Sequence, residues 1–147
     1  MRVYLDNCCY GRPYDDQTQL RINLETQAKL SIQHSITMGR FDLVSSLFIV
    51  YENGKKKNRM VKEQVSAFIM GYSKEYVGRD AIPAMMGEIS AIESAGVKPL
   101  DASHIAAAIY AGCEYFITTD DRILKYESDK IKIVDPVQFI KETEAKE

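Results

Sequence analysis

The sequence predicts an α/β domain of three layers, with a central parallel sheet of four or five strands between helices. Three observations carry that expectation. Short apolar runs of strand length, at Val3-Tyr-Leu5, Phe41 to Ser45, Glu114 to Thr118 and Lys132 to Val134, alternate with longer stretches of helical periodicity. The first run is nearly continuous in apolar character, which suits a strand buried on both faces. The order strand, helix, strand, helices, strand, helix, strand, helix then implies parallel strands joined by right-handed crossovers.

Taken in order, Arg2 to Leu5 reads as a strand stopped by Asp6-Asn7. Cys8 to Tyr14 reads as a turn-rich link punctuated by Gly11 and Pro13. Asp15-Asp16 suit a helix start, and the helix is expected over Asp16 to Met38. Its stripe is Leu20, Leu24, Ala28 and Ser31/Ile32, widened by Ile22, Leu30 and Ile36, with Gly39 as C-cap. A second strand covers Phe41 to Ser45, and Ser45-Ser46 can cap a helix starting at Leu47. The next helix runs from Asn58 to Gly71, with Met60, Val61, Val65, Phe68 and Ile69 facing inward. Glu75 to Val77 reads as a short strand or a connector, and Asp80 to Ala95 as a helix ended by Gly96. Val97-Lys98 has strand character ahead of an Ala-rich helix from Pro99 to Gly112. The strand Glu114 to Thr118, a short helix over Arg122 to Tyr126, the strand Lys132 to Val134 and a helix opened by Pro136 complete the pattern.

The 147 residues make one domain, expected over 1–141, with 142–147 as a flexible tail. A net charge of −2 argues against a protein coated in basic charge, such as a non-specific nucleic-acid packager. The N-terminal stretch lacks the apolar core of a signal peptide. The longest apolar run, Leu47 to Tyr51, is too short to span a membrane. The three cysteines, Cys8, Cys9 and Cys113, form neither a disulfide framework nor a zinc-ligand set. The expectation is a reduced, cytoplasmic protein with Cys8 and Cys9 as small buried side chains.

The chemistry points to one edge of the sheet. All strands of a parallel sheet end on the same edge, where α/β proteins place ligands. Asp6 ends the first strand, Glu52 lies on the helix after the second, Asp101 starts a helix, and Asp120 follows the strand Tyr115 to Thr118. Singly, each has a bland reading: Asp6 as a turn residue, Asp101 and Asp120 as helix caps, Glu52 as a solvated helix residue. Together they have a geometric reason to converge. Clustered carboxylates repel and would partly protonate unless a cation joins them. Oxygen donors without histidine or cysteine favour Mg²⁺ or Mn²⁺ over zinc, and such ions serve phosphate-ester hydrolysis.

Over nearly the whole chain, from Arg2 to about Ile140, this set resembles the PIN domain, a family of metal-dependent ribonucleases. The resemblance is carried by the strand ending in Asp6, the helical Glu52, Leu-Asp-Ala-Ser-His-Ile-Ala-Ala-Ala with Asp101, and Phe-Ile-Thr-Thr-Asp120. It implies a PIN-like fold and an endoribonuclease whose Mg²⁺ or Mn²⁺ is held by Asp6, Glu52, Asp101 and Asp120. Many small members are VapC-type toxins, usually dimeric and inhibited by a cognate antitoxin. The resemblance therefore also implies an RNA substrate, an antitoxin partner and a homodimer. One departure is that Asp121 follows Asp120, so the fourth acid has two candidates. Thr-x-Asp matches the family best at Asp120, leaving Asp121 as a cap or a ligand acting through water.

Several neighbours have two readings each. Asn7 can orient Asp6 or close a turn, and Thr118, Thr119 and Ser45 can bond the acids or pack at strand ends. His104, three residues after Asp101, is a packed histidine or a base; His34 is helix surface or core edge. The run Lys55-Lys56-Lys57, Arg59 and Lys62 can track an RNA backbone or form a solvated helix face. Arg12 is a further phosphate candidate, and Tyr10 and Tyr14 can stack on bases. Phe68, Ile69, Met70, Met85 and Met86 suit a dimer face or the core. The rival functions are a non-catalytic binding module on the same fold and a different acid-centred α/β enzyme. The latter lacks its patterns here: Asp6-Asn7-Cys8 is not Asp-x-Asp, as a haloacid-dehalogenase-like phosphatase requires.

Overall fold

A computed structural model describes residues 1–144. Five strands form one parallel sheet: β1 (Arg2–Leu5), β2 (Asp42–Ser46), β3 (Ser73–Val77), β4 (Tyr115–Ile117) and β5 (Lys132–Val134), in the order β3-β2-β1-β4-β5. β1 is central. Val3 lies opposite Leu43 of β2 and Tyr115 of β4, and Val3, Tyr4 and Leu5 are fully buried. The strand order reverses at β1, which makes the crevice beyond its carboxyl end a topological switch point.

The helices are α1 (Asn7–Gly11), α2 (Leu20–Thr37), α3 (Leu47–Gly54), α4 (Arg59–Tyr72), α5 (Ile82–Ser94), α6 (Pro99–Tyr110), α7 (Asp121–Leu124) and α8 (Pro136–Glu144). Side chains alternate across a strand, so adjacent residues face opposite layers. Tyr4 stacks on its register partner Phe116 at 5.2 Å and bonds His104 of α6. Tyr115 meets Phe139 of α8 edge-on at 4.9 Å on the other face. The result is the expected three layers, with α6 and its partner α5 on one face and α8 and α2 on the other.

Several local expectations change. The link at Cys8 to Tyr14 is α1 followed by a 3-10 turn over Arg12–Tyr14, because Asp6 caps the first amide and Pro13 sits at the start of the turn. α2 begins at Leu20, not Asp16: the Asp16 carboxylate bonds the amide and hydroxyl of Thr18 in a separate turn. Its buried stripe is Glu25, Thr26, Ala28, Lys29, Ile32 and Ile36, while Leu20, Leu24 and Leu30 are exposed. The reason is polar anchoring, as Arg12 pairs with Glu25 at 2.9 Å and the Arg12 carbonyl accepts from Thr26. Gly39, at φ 78°, closes α2 in the left-handed region that disfavours side chains.

Val97-Lys98 is not a strand. Gly96, at φ 98°, reverses the chain, and Pro99 opens α6 immediately, leaving no room for one. The fifth strand is instead β3, whose Lys74 and Tyr76 are exposed at the sheet edge. Phe68, Ile69 and Met85 belong to the core, whereas Met60, Met70 and Met86 are exposed. The stretch expected as a tail is helical through Glu144, and Glu142 accepts from the Tyr115 hydroxyl at 3.0 Å; positions 145–147 lie outside the described residues. No helix among the described residues is long and apolar enough to cross a membrane.

Phe139 is fully buried between Phe41 and Tyr115. Phe139→Ala should lower stability by about 3–5 kcal/mol, read as a shift of the urea midpoint with an unchanged slope.

Candidate active site at the carboxyl edge of the sheet

Asp6 leaves β1 still bonded to β4, its amide donating to the Ile117 carbonyl at 2.9 Å. That pairing sets the side chain beside the end of β4. Asp6 Oδ2 accepts from Thr118 Oγ1 at 2.8 Å, and Oδ1 accepts from the Asn7 amide at 2.8 Å. Thr118 Oγ1 in turn accepts from the Asp120 amide at 3.1 Å, so one hydroxyl ties two of the acids. Asp6 is buried, and burial raises its pKa against the opposing pull of its hydrogen bonds from Thr118 and the Asn7 amide.

Glu52 lies in the second turn of α3, half-buried. Its Oε1 bonds His104 Nε2. Asp101 sits in the first turn of α6, and burial, Asp6, Asp120 and Glu52 together raise its pKa. Asp120 caps α7, accepting from the Arg122 amide at 2.9 Å, with the Arg122 guanidinium 3.6 Å away. The four acids thus share one electrostatic neighbourhood. Asp101 reaches it from a helix hairpin rather than from a strand end. Neither Asp6 nor Asp101 has an ion-pair partner within 4.0 Å among the described residues.

Asp121 is elsewhere. Arg21 grips both its oxygens at 2.7 and 3.0 Å, holding its carboxyl below the ordinary range on the exposed side of α7. Asn7 contributes its amide to Asp6, while its side-chain oxygen is buried without a hydrogen-bond partner among the described residues. Ser45 Oγ is also buried and bonds none of the acids. The serine that matters is its neighbour. Ser46 Oγ is 2.6 Å from the Tyr4 hydroxyl, and that hydroxyl is 2.7 Å from His104 Nδ1. The chain Ser46–Tyr4–His104–Glu52 was not read from the sequence. The available signal was a tyrosine inside a fully buried strand, whose hydroxyl requires a partner.

His104 also overturns the premise that no histidine stands among the acids. Asp6, Glu52 and His104 offer ligand atoms within 4.8 Å of one another. This donor set fits a divalent cation: Asp6 is a buried carboxyl whose pKa burial raises and which has no ion-pair partner among the described residues, and a cation is what relieves it.

The basic candidates are mostly engaged. Arg12 bonds Glu25 and Asp15, Arg59 bonds Glu63, and Lys55 Nζ lies 4.3 Å above the Tyr51 ring. Lys56 Nζ is buried without a hydrogen-bond partner among the described residues, and burial lowers its pKa; Lys57 is exposed. Tyr10 is buried in the core and unavailable for stacking, whereas Tyr14 is exposed and bonds Gln64. Asp101 also lines a cleft of about 500 Å³ between the α5–α6 turn and α7. Lys98, Arg122, Lys125 and Tyr126 line it.

No family model matches the sequence, and no curated protein does. Solved structures do share the fold. A FitAB structure bound to an IR36 DNA fragment is 15% identical with a TM-score of 0.60, covering 91% of this chain and 94% of its own. FitAcB from Neisseria gonorrhoeae is 14% identical at 0.58, covering 92% and 98%. VapBC2 from Rickettsia felis, bound to a DNA fragment from their promoter, is 14% identical at 0.52, covering 90% and 97%. At such identities the likeness is one of fold: the chain has a small PIN-like, VapC-like α/β fold.

The raised carboxyls make a prediction with a definite sign. A carboxyl whose folded pKa exceeds its unfolded value contributes stability below the unfolded value, and that contribution is lost as pH rises through the folded one. Charged Asp101 therefore destabilises the metal-free protein at neutral pH. Asp101→Asn in EDTA should melt above the wild type at pH 7, with the difference vanishing as pH falls to about 4. A lower melting temperature for the variant at pH 7 contradicts the shared neighbourhood.

Proposed function

We propose that the protein is a Mg²⁺- or Mn²⁺-dependent endoribonuclease, with Asp6, Glu52, Asp101 and Asp120 as the residues that hold the metal. The observation that carries this reading is the gathering of Asp6, Glu52, Asp101 and Asp120 near one edge of the sheet, where Asp6, Asp120 and Glu52 add to burial in raising the Asp101 pKa. When bound, such an ion supplies activation of water and charge stabilisation for phosphodiester hydrolysis. The chain's own part is positioning. Thr118 and the Asn7 amide hold Asp6, His104 holds Glu52, and the start of α7 holds Asp120. Asp121, occupied by Arg21, is left out of the ligand set.

The RNA strand reaches this edge through the cleft beside Asp101. Lys98, Arg122 and Lys125 meet its phosphates and Tyr126 offers a face to a base. The reading extends to a toxin paired with an antitoxin and acting as a homodimer. Likeness in fold to FitAB and VapBC2 structures supports it, as does the sequence's resemblance to VapC-type toxins. Sedimentation of the chain alone tests the dimer.

The test of activity is cleavage of a mixed structured and single-stranded RNA pool in Mn²⁺. The wild type should cut; Asp101→Asn and wild type in EDTA should not. A wild type that binds Mn²⁺ but cuts nothing points to a narrower substrate. One that binds no Mn²⁺ supports a non-catalytic binding module.

For the cleft, replacing Lys98 and Lys125 together by alanine should raise KM several-fold, flatten its salt dependence and leave kcat near wild type. An unchanged KM places the strand elsewhere, with Lys55 and Lys57 the next pair to replace.

A further inference from the structure

We infer that His104 is not a ligand of the metal but the positioning residue of Glu52, its tautomer dictated by the N-cap of α3. This rests on the metal reading above. The first amides of a helix have no acceptor within it. In α3 those of Phe48 and Ile49 donate to Ser46 Oγ at 3.2 and 3.4 Å. Ser46 is fully buried, and the acceptor within reach of its own proton is the Tyr4 hydroxyl oxygen at 2.6 Å.

Once Ser46 donates to Tyr4, the Tyr4 proton must go to its other neighbour. Tyr4 is fully buried too, and that neighbour is His104 Nδ1 at 2.7 Å. Nδ1 is therefore an acceptor, and a neutral imidazole with its lone pair on Nδ1 carries its proton on Nε2. Nε2 faces Glu52 Oε1 and donates to it. In this direction every donor has an acceptor. In the reverse direction the Ser46 proton has none among the described residues, in a fully buried place, and a bare Nε2 lone pair opposes a carboxylate. A proton on both ring nitrogens strands Ser46 in the same way.

Two consequences follow. A protonated Nε2 cannot offer electrons to a cation, so His104 drops out of the three-residue group and the donors are carboxylate oxygens. Glu52 is held through one oxygen by a ring that cannot swing, because Tyr4 and Phe48 both pack edge-on against it at 5.9 Å. A ligand carboxylate fixed in this way needs no reorganisation when the metal arrives.

The tautomer is measurable without metal or activity, by long-range proton–nitrogen correlation on the ¹⁵N-labelled full chain in EDTA. There are only two histidines, and His34→Gln assigns the spectrum. His104 should show a protonated Nε2 and a bare Nδ1; the opposite tautomer overturns the inference. With Mn²⁺ added, pulsed electron paramagnetic resonance should show no histidine nitrogen coupling, and a coupling lost in a His104 variant overturns it. Mn²⁺ titration gives the third readout. His104→Gln keeps a donor near Nε2 and should bind close to wild type, while His104→Asn, whose donor reaches only the Nδ1 side, should bind about 10–100-fold more weakly. Equal losses in both variants overturn the positioning role. Failure of the wild type to bind Mn²⁺ sinks the metal reading and this role with it. A wrong tautomer in a protein that binds Mn²⁺ sinks this inference alone.

Discussion

The lodging of β1 between β2 and β4 governs the molecule. Parallel pairing on both sides buries Val3, Tyr4 and Leu5 completely and delivers Asp6 to the point where the sheet order reverses. The amide of Asp6 is still part of the ladder, so its carboxylate cannot turn away from Thr118. The alternation of side chains along the same strand sends Tyr4 to the α6 face, where it stacks on Phe116 and meets His104 and Ser46. One strand of four residues thereby anchors both the carboxylate cluster and the hydrogen-bond chain behind it.

That arrangement is under electrostatic tension. Burial and neighbouring acids oppose ionisation of Asp6 and Asp101, and the local hydrogen bonds offset only part of this. The tension is confined to the edge. Asp121 and Glu25, on the outer side of α7 and along α2, are paired with Arg21 and Arg12. Natural chains tolerate such local conflicts where a ligand resolves them, and the apolar layers bear the cost. Among those layers, the ring cluster of Phe41, Tyr115 and Phe139 joins β4 to α8 on the face away from the site.

The legibility of the sequence was uneven, for identifiable reasons. Asp6 and Asp120 were readable because a strand end followed by an acid has a fixed place in a parallel sheet. Asp101 was readable as a residue, but the route to it was misread: Val97-Lys98 has strand composition, and only the reversal at Gly96 with Pro99 behind it shows a helix hairpin. The stripe of α2 failed for a similar reason. Leu20 and Leu24 look inward by spacing, yet the Arg12–Glu25 pair rotates the helix so that they face outward. Along the run Lys55 to Arg59, charge in the sequence does not tell that Lys55 lies over the Tyr51 ring and that Arg59 bonds Glu63.

By itself the sequence determined the layers, the parallel sheet and the acids at its edge, because apolar periodicity and strand order are local signals that add up along the chain. Only the tertiary structure shows that Arg21 holds Asp121 while Asp120 caps α7, since Arg21 lies a hundred residues from the acid it holds. It alone joined Ser46, Tyr4 and His104 to Glu52. The direction of a proton along that chain depends on which buried groups lack other partners. No residue carries that information until all four are packed together.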